Sequence, residues 1–407
     1  MNILIVEIVS ILIVIALSIY IIKQWILNKV DLVINRTTIH KVKKGSSLLK
    51  TLAGKQVFLA SSCGGNGICG MCQCKVLKGG GTLSSVEESV FTKKELSEGW
   101  RLGCQVKVKK NIEISLSDEV SEIKEYVCEV VSNRNVSTFI KELILKMPVG
   151  HTMIFKSGSY IHFAAPPAEV NFLKDVELDA AFRSDWDKLN VWNLKMKNMV
   201  ESVKPFSLAN SPSETTKLTL NIRLSTPPID TKSGTYELLN PGVCSSYAFS
   251  LKLGDKVTIS GPFGHFHLKS TNREMLFIGG GAGMAPIRSH ILHLFHDLKT
   301  DRKVSFWYGG RSLKELFYMD DFEKIQQGFP NFTFHVALSE PKAEDNWQGH
   351  TGFIHQVISD HYLKQHAQPH EIEYYLCGPP LMHAAVLKML KEIGVKDEMI
   401  AFDDFGS

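Results

Sequence analysis

Four cysteines fall within twelve residues, Cys63, Cys69, Cys72 and Cys74, and Cys104 follows well downstream. Five residues separate Cys63 from Cys69, two separate Cys69 from Cys72, and thirty-one separate Cys72 from Cys104. Two short gaps and a long one suit a 2Fe–2S cluster, with three thiolates from one loop and the fourth from a distant strand. Structural zinc would favour two C-x₂-C pairs, and the chain has one. Gly64, Gly65, Gly67 and Gly70 let the backbone approach the inorganic sulfides and turn its N–H groups toward them. The expected ligands are Cys63, Cys69, Cys72 and Cys104. Cys74 shares a strand face with Cys72 and is expected beside the cluster without binding it.

A second chemistry is written in glycine. EMLFIGGGAGMAP (274–286) is a strand entering a glycine-rich turn and then a helix, the arrangement that sets backbone N–H groups against a pyrophosphate. Its candidate contacts are Gly279, Gly280, Gly281 and Gly283. EYYLCGPP (373–380) repeats the strand-to-helix logic with Cys377, Gly378 and Pro379. Alone, the glycines also read as a tight turn and Cys377 as a core thiol. Two such loops at one edge of a parallel sheet frame the crevice where nucleotides bind, and this places Cys377 on the nicotinamide side. KPFSLAN (204–210) and PGVCSSY (241–247) stand at strand ends; by itself the second is a plain turn and helix N-cap.

These residues need a scaffold of several parts. The 407 residues exceed one ordinary core, and 44% apolar with 22% charged residues is globular composition. A net charge of +4 gives no reason for a nucleic-acid partner. Clustered rather than scattered cysteines argue against a secreted disulfide framework. Ile3 to Ile22 carries one charge, Glu7, and is long enough to cross a bilayer as a helix. Lys23 and Lys29 follow it, with Trp25 near the boundary, which places the rest of the chain on the cytoplasmic side. After this expected anchor (1–28) comes a mixed β and short-helix unit (29–123), with 87–98 helical and Thr92 a candidate internal cap. Spaced strands then predict an antiparallel barrel or sandwich (124–270), interrupted at about 163–201 by a polar, tryptophan-bearing insertion. Residues 271–407 alternate strand and helix, as in an α/β parallel sheet.

C-x₅-C-x₂-C followed by RLGCQV (101–106) resembles the plant- and vertebrate-type ferredoxin family, with one extra residue in the first gap. That resemblance implies an α+β β-grasp fold. KPFSLAN, PGVCSSY, GGGAGMAP and CGPP together resemble the ferredoxin–NADP reductase family. Its R-x-Y-S motif falls on Lys204, Pro205, Phe206 and Ser207, implying a phosphate partner at Lys204, a ring contact at Phe206 and a serine near flavin N5 at Ser207. Lysine keeps the charge but loses the bidentate fork, and phenylalanine loses a hydroxyl. The second phosphate motif falls on Gly242, Ser245 and Ser246. An aromatic stacked on the flavin falls on Phe405, which taken alone reads as a core residue.

The order anchor, ferredoxin, flavin barrel, nucleotide domain resembles the family of F subunits of the bacterial sodium-translocating NADH:quinone reductases. The likeness extends through DWDKLN, WYGGRS (307–312), EDNWQGHTGFIH (344–355) and the DDFG ending. It implies FAD, NADH as substrate, the other subunits of a complex in the bacterial inner membrane, and quinone as the destination of the electrons. Flavin is needed between NADH, which gives a hydride, and the cluster, which takes single electrons. With no basic cluster to meet a 2′-phosphate, apart from Arg311, NADH is expected over NADPH. A soluble oxygenase reductase with the same cofactors, or an electron carrier with a decayed flavin site, would be the alternatives.

Overall fold

The computed structural model describes Ile11, Ile13 and Ile15 and residues 28–61, 63–117, 123–230 and 235–404. The expected anchor lies almost wholly outside these residues, as does Phe405. Among the described residues no helix is long and apolar enough to cross a membrane. The chain divides into two compact units, Met1–Lys124 and Glu125–Ser407.

The first unit holds a five-stranded sheet: β1 (Lys29–Ile34), β2 (Thr38–Lys43), β3 (Gln73–Lys78), β4 (Trp100–Leu102) and β5 (Ile112–Ser115), in the order β2-β1-β5-β3-β4. β1 and β5 are parallel and the other pairs antiparallel. Alternation along β1 sends Val30, Leu32 and Ile34 into a core shared with Leu48 and Leu52 of the helix Leu48–Ala53. Ser47 caps that helix by accepting from the Lys50 N–H. The helix expected over 87–98 is two helices, Ser85–Val90 and Lys93–Ser97. Phe91 takes an extended conformation and buries its ring, and Thr92 starts the second helix through a reciprocal bond with Glu95. Burying one aromatic ring outweighs two more residues of helix.

The second unit begins with β6 (Lys124–Ser137), β7 (Ile140–Lys146) and β8 (Tyr160–Ala165). The insertion follows as β9 (Ala168–Asn171), the helices Phe172–Asp175 and Ala180–Lys188, and β10 (Lys195–Asn198). β9 and β10 pair only with each other. The insertion has its own small core around Trp186, whose indole N–H donates to the Thr138 carbonyl at 2.8 Å. β11 (Ser202–Ser207), β12 (Lys217–Arg223) and β13 (Lys256–Phe263) complete a sheet ordered β11-β8-β13-β6-β7-β12. A bridge between Leu208 and Leu220 joins its two end strands, so the sheet closes on itself. The interior is filled by Leu143, Leu145, Ile161, Phe163, Leu220 and Ile259.

β14 (Met275–Gly279), β15 (Val304–Gly310), β16 (Phe332–Leu338), β17 (His350–Thr351), β18 (Glu373–Cys377) and β19 (Ile400–Asp403) form the second six-stranded sheet. All its pairings are parallel, in the order β17-β16-β15-β14-β18-β19. β14 and β18 are buried at every position, as strands covered on both faces must be. The strand order reverses between β14 and β18, which opens a crevice at their carboxyl ends.

A polar lock sets this sheet against the barrel. The Tyr318 hydroxyl donates to Glu142 of β7 at 2.5 Å and accepts from Asn221 of β12 at 2.8 Å. Arg288, in the helix Met284–Leu292 that follows the glycine turn, lies 4.3 Å from the Tyr318 ring centroid and pairs with Asp321. It also donates to the Ala209 carbonyl at 2.8 Å. Ala209 is two residues past Ser207, so one guanidinium ties the glycine loop's helix to the KPFS strand.

Candidate functional site

The cysteine loop turns on glycine. Gly64, Gly65, Gly67 and Gly70 all have φ between +64° and +90°, a region side-chain-bearing residues rarely occupy. The four expected ligands come together as two pairs. Cys63 and Cys69 have their sulfurs 3.3 Å apart, and the Cys104 N–H donates to the Cys72 sulfur at 3.4 Å. Among the described residues no three His, Cys, Asp or Glu side chains converge on one point. Two adjacent pairs fit a two-iron cluster with two thiolates on each iron, and do not fit a single tetrahedral zinc.

Burial pushes the Cys63 thiol up, but N–H groups of Cys69, Ile68 and Gly65 point at its sulfur and bring it down to about 6. A thiol–thiol hydrogen bond donated by Cys72, together with the Gln105 amide, lowers Cys104 to about 7, while that bond and burial raise Cys72. Such N–H groups stabilise thiolates and would equally hold an anionic cluster. Cys104 lies in the turn just past β4 rather than on a strand. Cys74 is buried opposite Arg101 in the β3–β4 register, and burial raises its thiol to about 12.

What fixes that turn is Glu87, absent from the sequence-derived site. Its carboxylate is fully buried and accepts from Arg101 Nε at 2.7 Å and Nη2 at 3.0 Å, from Leu102 N at 3.1 Å and from Ser84 N at 2.9 Å. Burial alone would raise this acid; the Arg101 bonds outweigh it and hold it below the ordinary range. One carboxylate therefore pins β4 to the helix Ser85–Val90, two residues before Cys104. The visible signal was the spacing Ser84-x-x-Glu87, a capping box.

In the second unit, Gly279 lies beside Cys377 in the β14–β18 register, and Cys377 beside Asp403 in the β18–β19 register. A side chain on Gly283 would overlap the Cys377 carbonyl, and one on Gly280 would meet the Gly309 carbonyl and Met382. Gly279, Gly280, Gly281, Gly283, Gly378 and Pro379 thus line one narrow gap between β14 and β18. Next to it lies a cleft of about 560 Å³ whose wall includes Gly281, Gly310, Arg311, Phe353, Pro379 and Met382. Arg311 is largely exposed there, with Glu315 at 3.7 Å.

Ser207, at the end of β11, donates from Oγ to Asp403 Oδ2 at 3.2 Å. Asp403 therefore joins the barrel's serine to the sheet's cysteine. Burial and then Asp404 push its carboxyl up to about 6 against the pull of Ser207. Cys377 is fully buried, and burial followed by Asp403 and Asp404 raises its thiol well above the ordinary value, so it is a neutral S–H. In sequence the DDFG ending offers only Phe405 as a candidate; nothing in an acidic pair at a strand end signals a buried carboxyl.

The phosphate motifs lie at the barrel's end. Burial raises the thiol of Cys244, in the first turn of the helix Val243–Ser250, and Lys204 stands close enough to oppose that rise in part. A lysine and a helix N-terminus beside each other make an anion site. The Phe206 ring packs edge-on against Phe163 at 5.6 Å, so its position is held without a hydroxyl. Ser245 Oγ is used inside the fold, accepting from Ser225 N at 3.1 Å and donating to the Gly242 carbonyl at 3.0 Å. Ser246 Oγ is fully buried with no protein partner. An orphaned hydroxyl at a helix N-terminus beside a lysine fits a diphosphate-bearing flavin.

Residues 32–109 match the model of the 2Fe-2S iron-sulfur cluster binding domain, and residues 277–388 match that of the oxidoreductase NAD-binding domain. The chain is 49% identical over 365 residues to the F subunit of the Na(+)-translocating NADH-quinone reductase of Pseudomonas aeruginosa, covering 90% of this chain and 88% of that one. It is 50% identical over 362 residues to the Klebsiella pneumoniae protein of the same name, with 89% and 88% covered. Among solved structures it is similar to a cytochrome P450 reductase of Amycolatopsis (TM-score 0.62, 20% identity, 92% and 98% covered). It is also similar to a ferredoxin reductase in carbazole 1,9a-dioxygenase (TM-score 0.59, 23% identity, 93% and 98% covered). At those identities the two structures speak for the fold.

Proposed function

We infer, for a chain that belongs to the family of F subunits of the Na(+)-translocating NADH-quinone reductases, that it oxidises NADH in the second unit and passes the electrons one at a time through the first. FAD, when bound, supplies the conversion between hydride and single electrons. The observation that carries this reading is the meeting of Ser207, Cys377 and Asp403, donated by the barrel, by β18 and by β19.

Each residue has a task its surroundings suit. The glycine gap between β14 and β18 lets a pyrophosphate lie against bare backbone, and the cleft beside Arg311 takes the rest of the dinucleotide. Cys377 bounds the nicotinamide end with a neutral, compact group that excludes water. Ser207 Oγ donates a hydrogen bond to Asp403 while that carboxyl is ionised, and with Asp403 protonated the hydroxyl would be free to donate to a bound flavin. Lys204, the amide groups at the start of Val243–Ser250 and Ser246 Oγ hold the flavin's phosphates, with Gly242 and Ser245 shaping the turn and Phe206 contacting the ring. In the first unit Cys63 with Cys69 and Cys72 with Cys104 hold the cluster.

The chain is read as four parts: anchor 1–28, cluster domain 29–123, flavin barrel 124–270 and nucleotide domain 271–407. The gap between β13, ending at Phe263, and β14, starting at Met275, supports the last boundary. Onward transfer to quinone, coupling to sodium and a single-pass place in the bacterial inner membrane rest on the relatives' name and on Ile3–Ile22. The test is NADH-driven reduction of an artificial one-electron acceptor by the purified chain, with the absorbance spectrum taken alongside. Flavin and cluster bands with turnover faster on NADH than on NADPH support the reading. A chain that lacks flavin, or binds it without turnover, is an electron carrier instead.

A further inference from the structure

Charge is unevenly divided between the units. Residues 1–124 hold 17 Lys and Arg against 10 Asp and Glu, while residues 125–407 hold 29 against 32. Much of that excess collects at one end of the first sheet. β1 starts at Lys29, and its antiparallel partner there is Lys43. Lys44 continues the pairing, donating its N–H to the Asn28 carbonyl. The segment 44–48 runs antiparallel to 106–110: Gly45 N bonds to Val108 O, Val108 N to Ser46 O, and Ser47 bridges Lys107. That register sets Lys44 opposite Lys110 and Lys109 opposite Gly45. The parallel pair of Leu32 with Ile112 brings residues 109 and 110 alongside the start of β1.

Lys43, Lys44, Lys107, Lys109 and Lys110 are all exposed, and among the described residues none has an acidic partner. Lysines elsewhere in the unit do: Lys41 pairs with Asp31, Lys75 with Glu98 and Lys78 with Glu113. Five like charges gathered at one strand end, with no acidic partner among the described residues, make a face that attracts anions.

The chain's own geometry says which. Six residues, 23–28, separate the apolar run Ile3–Ile22 from Lys29. Fully extended they reach at most about 21 Å. The end of the sheet that carries the lysines is therefore the end tethered nearest the bilayer. We propose that Lys43, Lys44, Lys107, Lys109 and Lys110 form a docking face for anionic lipid headgroups, which seats the cluster domain on the membrane surface. The proposal rests on the reading of Ile3–Ile22 as an anchor. Each lysine near an anionic surface strengthens binding about five-fold, an effect that salt removes.

The test uses the full chain in nanodiscs of phosphatidylcholine alone or of an equal mixture with phosphatidylglycerol. A membrane-impermeant amine acylating reagent is applied, and the rate at each lysine is read by mass spectrometry. Lys43, Lys44, Lys107, Lys109 and Lys110 are expected to react at least five-fold more slowly on the anionic discs, with the difference abolished by high salt. Lys93 and Lys94, beside the opposite edge strand β4, are expected to react equally on both. Equal rates at the five lysines on both discs overturn the proposal. So does protection that appears only when the other subunits are present, which would make the face a protein interface.

The anchor is tested separately, by alkaline carbonate extraction from phosphatidylcholine vesicles. Extraction refutes the anchor. In that case cosedimentation with anionic vesicles, weakened at least ten-fold by K43E/K44E, would still uphold the lysine face, and its absence would overturn it.

Discussion

Asp403→Asn puts the meeting of the barrel and the parallel sheet to a quantitative test. The carboxyl's folded pKa of about 6 stands some two units above its ordinary 3.8, because burial and Asp404 disfavour its charge more than Ser207 relieves it. A raised folded pKa means the folded state binds the proton more tightly than the unfolded chain does. Its contribution is therefore fully present below pH 3.8 and is lost as pH rises through 6. At 1.36 kcal/mol per unit, the charged carboxylate costs the second unit up to about 3 kcal/mol at pH 8, less whatever solvent relieves at a partly exposed group. Asparagine is nearly isosteric and still accepts the Ser207 hydrogen bond, but carries no charge. The variant is expected to match the parent in urea unfolding near pH 4 and to gain stability steadily between pH 4 and pH 7. In the same variant, the change in NADH turnover that accompanies ionisation near pH 6 is expected to flatten. A stability difference independent of pH, or a loss at pH 8, would refute the claim that Asp403 is held against its ionisation.

Cys104→Ala is expected to abolish the cluster's absorbance and its reduced-state electron paramagnetic resonance signal, whereas Cys74→Ala leaves both; the reverse pattern would reassign the fourth ligand. Gly283→Ala forces a methyl group into the Cys377 carbonyl, so KM for NADH should rise by about ten-fold or more while the flavin band at rest is unchanged, as steady-state kinetics will show. Glu87→Gln leaves Arg101 buried beside a neutral amide, and losing one partner of a buried pair costs about 3–5 kcal/mol. The expected result is early thermal loss of the cluster band with the flavin band retained. A parallel loss of both would mean that Glu87 does not act within the first unit alone.

The parts of this molecule that could be read from sequence share a local cause. Cysteine spacing, glycine turns after apolar strands and the strand–helix alternation of 271–407 are each written within a few tens of residues. The separateness of the insertion came from the same kind of signal. What escaped were pairings that only the folded chain creates. Asp403 becomes a site residue because β19 lies beside β18 and faces β11, and Glu87 because it meets Arg101 and Leu102 across the unit. Ser245 was expected at a phosphate, yet its hydroxyl is taken by Ser225 and Gly242, a competition no motif records. The split at Phe91 was hidden for a similar reason, since helix propensity over 87–98 says nothing of a core waiting for one ring.

The parallel sheet's reversal between β14 and β18 also has a consequence for how the chain reaches its native state. Gly279 and Cys377 are neighbours in space, but three strands and their helices are laid down between them. Ser207 and Asp403 are 196 residues apart. Closing such loops is paid in chain entropy before any contact returns it, so pairings of this separation form late. The barrel needs pairings as distant, with Val130 bonding to Asp255, but its last strand ends at Phe263 and is synthesised ahead of β18, whereas the dinucleotide gap exists only once β18 has threaded back to the middle of the sheet. Synthesis therefore leaves an interval between the two. A cell making this protein carries, for that interval, a barrel able to hold flavin with no means yet of reducing it.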